Sequence, residues 1–207
     1  GQHVPVRVVD RISGEGIPIS PQGTLLVSFA HGQTIRALFG NGTPSGALSL
    51  QPEQPIFLTK LVYPPSTQNP DFAPESASQF ENGARILGAD LVESSPEAIA
   101  LKLHWTPTRN KPAASYHFSV RVVTQDGKTI GQHDVPSLSR ELWRAGDVVI
   151  SPLRIPLSEP VSDLAAVRVQ VIMYAYPSIQ NVNVVDEGGN ALGQWLFLRH
   201  NSCQASR

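Results

Sequence analysis

Two stretches of the chain alternate strictly between apolar and polar residues, and this pattern limits the fold more than any other feature. Apolar side chains occupy every second position from Ile99 to Trp105, and the aromatic and aliphatic residues from Tyr116 to Val122 follow the same period. Successive side chains of a β-strand point to opposite faces of the sheet. Each stretch therefore predicts a strand in a sheet that is buried on one side only.

Turn sequences separate these stretches from further strand-like runs. The Asp126-Gly127 pair supplies the positive φ that a tight hairpin needs, and residues 186–190 (Asp-Glu-Gly-Gly-Asn) mark a second hairpin. Pro152 and Pro156 cannot donate ladder hydrogen bonds, so the run that contains them is predicted to be an edge strand or a bent one. The predicted strands after residue 80 are Ala84–Leu91, Ile99–Trp105, Tyr116–Val122, Thr129–Val135, Asp147–Leu157, Val167–Tyr174, Asn181–Val185 and Ala191–Arg199.

The order of these runs predicts an all-β protein. Charged residues make up 16% of the chain, below the roughly 25% of an average soluble domain. The 18 prolines and 16 glycines suit many short strands joined by loops. We expect a jelly-roll-like or immunoglobulin-like β-sandwich over residues 81–200, preceded by a small β-rich segment over residues 1–63. Residues 64–80, which contain four prolines, are predicted to be a Pro-rich linker, and residues 201–207 a polar tail.

The segment before the linker holds five short strand-like runs. Five strands in so short a segment bury a marginal core if they fold alone, so we expect this segment to lean on the next domain or on something missing upstream. A turn cluster occupies residues 40–46. The five runs are Val4–Val9, Thr24–Phe29, Gln33–Phe39, Ala47–Leu50 and Pro55–Thr59.

Charge and composition exclude several classes of function. The net charge is −1 and no Lys/Arg-rich run occurs, whereas nucleic-acid binding needs several phosphate-neutralising cations on one face. No apolar run approaches the roughly 18 residues of a membrane-spanning helix. The lone Cys203 cannot form an internal disulfide. The chain opens on Gly1, and we expect it to be a fragment or mature form of a longer protein.

Residues 80–91 (Phe-Glu-Asn-Gly-Ala-Arg-Ile-Leu-Gly-Ala-Asp-Leu) begin a series of motifs that extends to residue 190. The later motifs are Leu103–Trp105, Tyr116–Gly127, Gln132–Asp134, Leu142–Val149, Val171–Tyr174 and Asp186–Asn190. In order and spacing they resemble a β-sandwich domain found C-terminal to bacterial membrane glycosyltransferases of the dolichyl-phosphate-mannose type, and in other extracytoplasmic carbohydrate-active proteins. Where those relatives have a Gly- and Arg-rich loop, this chain has residues 175–180 (Ala-Tyr-Pro-Ser-Ile-Gln).

The first segment resembles the small β-domain that often ends a glycoside hydrolase, through residues 34–41 and 48–58. Together the two resemblances imply a non-catalytic accessory domain of a secreted or cell-surface carbohydrate-active protein. A polysaccharide or oligosaccharide would be its ligand, and other domains of a larger parent protein would be its neighbours. The alternative is a structural or assembly module that packs against protein neighbours and binds no sugar.

No residue set predicts catalysis, a cofactor or a metal site. There is no Gly-x-Ser-x-Gly nucleophile elbow, and the acidic residues lie in polar loops or at strand ends, so we expect no enzyme activity. His104 and His117 would face each other if their strands formed a symmetric hairpin, but a zinc site needs three or four ligands, and a solvated histidine pair is expected. Asp186, Glu187 and Asn190 could offer oxygens to calcium, although a hairpin turn explains them equally.

Exposed aromatic rings beside side-chain amides are the features that would bind a sugar, because such rings stack on the apolar faces of pyranose rings. Trp143 lies in a polar loop, and its ring either plugs one end of the core or forms a ligand platform. Trp105 and Trp195 alternate with apolar neighbours and are predicted to be core residues. The candidate ligand-binding residues are Trp143, Tyr174, Tyr176, Gln180 and Asn181.

Overall fold

The computed structural model describes residues 16–19, 24–28, 43–49, 55–61 and 70–201. These residues form β-strands and two short 3-10 turns, Arg140–Leu142 and Leu164–Ala166. In chain order the strands are β1 (Ile17–Ile19), β2 (Thr24–Ser28), β3 (Thr43–Ser49), β4 (Pro55–Leu61), β5 (Phe72–Pro74), β6 (Gln79–Phe80), β7 (Ala84–Ser94), β8 (Ala98–Pro107), β9 (Ser115–Thr124), β10 (Thr129–Pro136), β11 (Val148–Pro156), β12 (Val167–Tyr176), β13 (Gln180–Asn181), β14 (Val184–Val185), β15 (Ala191–Gly193) and β16 (Trp195–His200).

Most strands belong to one curled antiparallel sheet. Its strand order is β1-β11-β8-β7-β5-β16-β12-β9-β10. The first four strands form one layer and the last four form the other, while β5 pairs with both β7 and β16 and so joins them. A bridge between Gly131 and Leu157 links the two ends of the curl. The predicted all-β, sandwich-like fold is therefore confirmed.

The core lies between the two layers and follows the predicted alternation. The side chains of Ile99, Leu101, Leu103 and Trp105 on β8 are buried, and Phe118, Val120 and Val122 of β9 face them from the other layer. The Trp105 ring packs at 5.5 Å from the Phe118 ring, edge to face. The period-two pattern therefore predicted the buried face of both strands correctly.

The sandwich begins earlier than the sequence predicted. Residues 72–80, which we assigned to the Pro-rich linker, contribute β5 and β6, and the side chains of Phe72 and Phe80 are fully buried. Strand β1, from the predicted first segment, pairs with β11. Proline suggested a linker here, but Pro74 lies at the last position of a three-residue strand, where a missing N–H costs little.

A separate three-stranded sheet is formed by β2, β4 and β3, in that order. Strands β2 and β4 confirm the runs predicted near Thr24 and Pro55. Strand β3 begins at Thr43, inside the stretch predicted to be a turn cluster. The predicted runs at Val4–Val9 and Gln33–Phe39, and residues 202–207 of the tail, lie outside the described residues.

The later strands confirm most of the sequence pattern. Gly127 has a φ of +90° in the β9–β10 hairpin, as the Asp-Gly turn requires. Strand β11 pairs with β1 only through Val148–Ile150, so Pro152 and Pro156 lie along an edge of the described sheet, as predicted. The final hairpin is shorter than expected: β14 pairs with β15, whereas β16 continues beyond them and pairs with β12.

Candidate functional site

The outward side of the layer formed by β10, β9, β12 and β16 carries the candidate site, and we call it the outer face. Val171 and Met173 of β12 point into the core, so the alternate residues Ile172, Tyr174 and Tyr176 point outward. The strand register places Trp195 of β16 directly opposite Ile172. The outward aromatic residues of two neighbouring strands therefore share this face.

Four rings form what we call the aromatic strip: His117, Tyr174, Tyr176 and Trp195. The ring centroids of His117 and Tyr176 are 4.5 Å apart and their planes differ by 14°, which is a parallel stack. Tyr174 lies opposite His117 in the register, at 5.6 Å between centroids. Tyr176 is 54% exposed and Trp195 is 50% exposed. Two half-exposed rings on one face make this surface the candidate site.

Polar side chains border the aromatic strip on both sides. Asn181 lies opposite Tyr174 on β13, and its Nδ2 donates to Oε1 of Gln194 at 3.2 Å. On the other side, the Tyr174 hydroxyl donates to Oδ2 of Asp134 at 3.3 Å. Gln132 Nε2 donates to the second carboxylate oxygen of Asp134 at 3.1 Å. The strip is thus flanked by an amide pair and by a carboxylate, groups that can exchange hydrogen bonds with ligand hydroxyls.

Two titrating groups of the strip, His117 and Tyr174, have pKa values shifted in the direction of the uncharged form. Burial lowers the pKa of His117 below its ordinary value, with the Asp134 carboxylate acting in the opposite direction. Burial, followed by the charge of Asp134, raises the pKa of the Tyr174 hydroxyl. Neutral pH therefore leaves His117 as an imidazole and Tyr174 as a hydrogen-bond donor. The strip presents apolar ring surface with a single carboxylate beside it.

The loop that follows β12 carries an exposed apolar residue. Ile179 is 73% exposed and has a φ of +57°. A β-branched residue in this region of φ is strained, and such strain is retained where a loop has to present a particular shape. The amide of Ile179 donates to the carbonyl of Ala175 at 2.9 Å, which fixes the loop against the end of β12.

The structure brings together three of the five predicted ligand-binding residues. Tyr174, Tyr176 and Asn181 lie on the outer face. Gln180 pairs with Ala175, so its side chain points to the opposite side of the sheet. Trp143 does not reach the surface. The prediction that it binds a ligand was therefore wrong, and its ring is the core plug.

Trp143 fills one end of the sandwich. Its side chain is fully buried, 5.0 Å from the Trp105 ring between centroids, and its Nε1 donates to the Leu138 carbonyl at 3.1 Å. Trp105 is buried as predicted, with its Nε1 donating to Ser151 Oγ at 3.1 Å. Both indole N–H groups are therefore satisfied inside the protein, and neither is available to a ligand.

The core assignment of Trp195 was wrong, and the sequence held a signal against it. Leu196 and Leu198 are the core residues of β16, and Trp195 and Phe197 occupy the outward phase. Both sides of this strand carry apolar residues, so alternation alone did not distinguish the buried side from the exposed side. Arg199 shares the phase of Trp195, and a charged residue marks the outward side.

The predicted pairing of His104 with His117 was also wrong. Strand β8 pairs with β7 and β11, whereas β9 pairs with β10 and β12. The segment between β8 and β9 crosses from one layer to the other instead of forming a hairpin. His104 Nε2 lies 3.0 Å from Oδ2 of Asp90, and His117 joins the aromatic strip.

Within the described part of the chain, no group of three or more His, Cys, Asp or Glu side chains lies close enough to hold a metal ion. The Asp186 carboxylate accepts hydrogen bonds from the backbone and the side chain of Asn190, at 2.8 and 2.9 Å. These bonds close the hairpin turn. In the same part of the chain, no helix has the length and apolar character to cross a bilayer.

Comparisons with known proteins give only a weak structural likeness. No protein-family model and no curated protein sequence matches this chain. Two solved chains of Bacteroides uniformis β-glucuronidase, one covalently bound to cyclophellitol-6-carboxylate aziridine, each align over 62% of this chain at 11% identity with a TM-score of 0.31. A Bacteroides fragilis chain assigned as a β-galactosidase aligns over 63% of this chain at 14% identity with a TM-score of 0.30. This chain spans 14% of the β-glucuronidase chains and 18% of the β-galactosidase chain.

Proposed function

We propose that this chain is a non-catalytic glycan-binding module, and that the outer face is its binding surface. The observation that carries the proposal is the exposure of Tyr176 and Trp195 on the same face, next to the partly exposed Tyr174. Tyrosine and tryptophan rings offer a large, rigid contact area with an apolar body and a polar tip. A pyranose ring, with C–H groups on one face and hydroxyls at its rim, matches that surface.

The bordering polar groups fit the hydroxyls of a sugar. The Asn181–Gln194 amide pair keeps unused donors and acceptors, and Asp134 is an acceptor at the opposite border. Stacked rings and hydrogen-bonded side chains hold the surface in place before a ligand arrives, which reduces the entropy lost on binding. The sequence resemblance to accessory domains of extracytoplasmic carbohydrate-active proteins supports the same function and a location outside the cytoplasm.

The length of the strip favours a chain of sugars over a single sugar. Tyr176 lies four residues along β12 from Ile172, which is the partner of Trp195. With a rise of about 3.4 Å per residue, the exposed rings are separated by roughly 14 Å along the strand. This distance exceeds one pyranose ring, so we expect affinity to increase from a monosaccharide to an oligosaccharide.

Affinity electrophoresis through gels that contain soluble polysaccharides tests the proposal. A panel of neutral and acidic plant and bacterial polysaccharides should retard the wild-type chain in at least one gel, and Trp195→Ala should restore its mobility. Leu192→Ala is the matched control, because Leu192 is 59% exposed but lies outside the strip. Unchanged mobility of the wild type in every gel would refute sugar binding.

The same variants distinguish a glycan-binding module from the alternative, a structural or assembly module. If the outer face packs against protein, the wild type should run unretarded in every gel, and Trp195→Ala but not Leu192→Ala should weaken association with the parent protein's other domains. A glycan-binding face instead predicts retardation of the wild type in at least one gel and its loss in Trp195→Ala.

A further inference from the structure

Two residues next to the aromatic strip, Ser119 and Ile172, point outward but are not exposed, and we call them the floor of the outer face. Ser119 of β9 and Ile172 of β12 are opposite each other in the register. They are only 4% and 6% exposed. Larger side chains around them therefore shield them, and a ligand on this face would reach them only after those side chains move aside.

The Ser119 hydroxyl is buried without a hydrogen-bond partner. No donor or acceptor within the described residues reaches its Oγ. A buried hydroxyl that makes no hydrogen bond costs stability, because water no longer solvates it. Such a group is rare in a folded protein and needs an explanation. A ligand hydroxyl would supply the missing partner once the side chains that shield the floor move aside.

Arg121 is next to Ser119 on the outward side of β9, and its charge is not neutralised by the part of the protein that the structure describes. Gln132 and Gln170 are its cross-strand neighbours. Its Nε is buried and has no hydrogen-bond partner among the described residues.

Two other arginines of the outer face have a carboxylate within ion-pair distance, although the Nε of Arg168 is also buried without a hydrogen-bond partner among the described residues. Arg199 Nε lies 3.0 Å from a carboxylate oxygen of Glu75, and an Arg168 guanidinium nitrogen lies 4.0 Å from the other oxygen. The Arg168 guanidinium also lies 4.2 Å from the centre of the Phe197 ring. Arg168 and Arg199 therefore have Glu75 and Phe197 as partners. Arg121 forms no ion pair with any of the described residues, so an anionic partner for it would come from outside them.

We infer that Arg121 and Ser119 form an acidic-sugar subsite, in which the carboxylate of a hexuronic acid binds the Arg121 guanidinium while the ring stacks along the aromatic strip. This rests on the proposed function and names its ligand class. A planar guanidinium matches a carboxylate with two parallel hydrogen bonds. Asp134 lies opposite Ser119 and would repel the ligand's carboxylate, so the acid group is directed to Arg121 and the sugar hydroxyls to Asp134.

The test measures the affinity of the wild-type chain, by isothermal titration, for oligogalacturonate, oligomannuronate and hyaluronan oligosaccharides, and for the methyl ester of each. Esterification removes the charge and keeps the sugar chain. We expect at least one acid form to bind about tenfold or more tightly than its ester, and we expect this preference to fall as salt increases.

Variants localise the effect. Arg121→Gln should remove the preference for the acid over the ester, and Arg121→Lys should retain only part of it because a lysine cannot bind a carboxylate in the two-fold manner. Ser119→Ala should weaken binding of the acid form while leaving thermal stability unchanged or higher, since the hydroxyl has no internal partner. Glu75→Gln, which touches only the other two arginines, is the matched control.

The outcomes separate this inference from the proposed function. Equal binding of acid and ester, lost in Trp195→Ala and unaffected in Arg121→Gln, would overturn the acidic subsite and keep the glycan-binding face. Binding of neutral oligosaccharides alone would have the same meaning. Failure of every acidic and neutral oligosaccharide to bind would overturn both.

Discussion

The Tyr176 ring lies flat against the imidazole of His117, with 4.5 Å between centroids and 14° between planes. One face of the exposed tyrosine is thus supported by a neighbouring strand, and its other face is left for a ligand. Stacking of this kind fixes the ring without consuming its outer surface. The pair explains how a half-exposed side chain near a strand end can be held ready for binding.

The support from His117 gives the first prediction. Tyr176→Ala should weaken glycan binding by about tenfold, which is about 1.4 kcal/mol, while Tyr176→Phe should bind nearly as well as the wild type because the ring remains. His117→Ala should weaken binding by a smaller factor, since Tyr176 is present but no longer held. Isothermal titration of the three variants checks this order. A Tyr176→Phe variant as weak as Tyr176→Ala would assign the effect to the hydroxyl and contradict a stacking role.

The tryptophans provide a second prediction. Trp105 and Trp143 are fully buried, whereas Trp195 is half exposed. The chain has three tryptophans, so a water-soluble quencher such as iodide should quench one emission component and leave a blue-shifted component unaffected. Trp195→Phe should abolish the quenchable component. A large quenchable fraction that persists in Trp195→Phe would mean that a core tryptophan reaches solvent.

A third prediction concerns stability. Trp143→Ala leaves a cavity against Trp105 and frees the Leu138 carbonyl, so it should lower the free energy of unfolding by about 3–5 kcal/mol. Trp195→Ala removes a surface ring and should change it by less than about 1 kcal/mol. Urea unfolding monitored by circular dichroism measures both. Comparable losses in the two variants would contradict the separation of core plug from binding surface.

The contact between Asp90 and His104 leads to a fourth prediction, on pH. The hydrogen bond with His104 holds the pKa of the Asp90 carboxyl below its ordinary value. A carboxyl with a lower pKa in the folded state stabilises that state above about pH 4, the range of the unfolded pKa, and the benefit is lost as pH falls through the folded pKa. Asp90→Asn should therefore cost less than about 1 kcal/mol at pH 7, because the Asp90 side chain is 39% exposed and solvent screens the interaction.

The cost of Asp90→Asn should disappear once pH falls below the folded-state pKa of the Asp90 carboxyl, where the wild-type side chain is protonated as well. Urea midpoints measured between neutral and acid pH test this convergence, with Glu187→Gln, an exposed turn residue, as the control. A cost that is constant with pH would show that the substitution acts through packing and not through the charge.

The strands of the second part of the chain could be predicted because alternation and turn chemistry act locally. Ile99 to Trp105 and the Asp126-Gly127 turn needed no knowledge of the rest of the fold. The partners of β8 and β9 could not be predicted, because consecutive strands either form a hairpin or cross between layers. That choice depends on packing over the whole sandwich, and it is why His104 and His117 were wrongly placed together.

The candidate site was predicted in part, for a related reason. Tyr174, Tyr176 and Asn181 lie around a strand end and a loop, where exposure is the default for polar and aromatic residues. Trp143 also lies in a polar loop, yet its ring turns into the core, a direction that loop composition does not specify. Trp195 was missed because both phases of its strand are apolar. In the sequence Arg199 alone marks the outward side of this strand, and in the structure the pairing of Trp195 with Ile172 assigns it to the outer face.

Tryptophan fluorescence during titration with neutral and acidic oligosaccharides tests the central claim most directly, because Trp195 is both the exposed fluorophore and part of the proposed surface. We predict a saturable emission shift in the wild type that is absent in Trp195→Phe and strongly weakened in Tyr176→Ala. A flat titration with every oligosaccharide, or a shift that persists unchanged in Trp195→Phe, would contradict a glycan-binding role for the outer face.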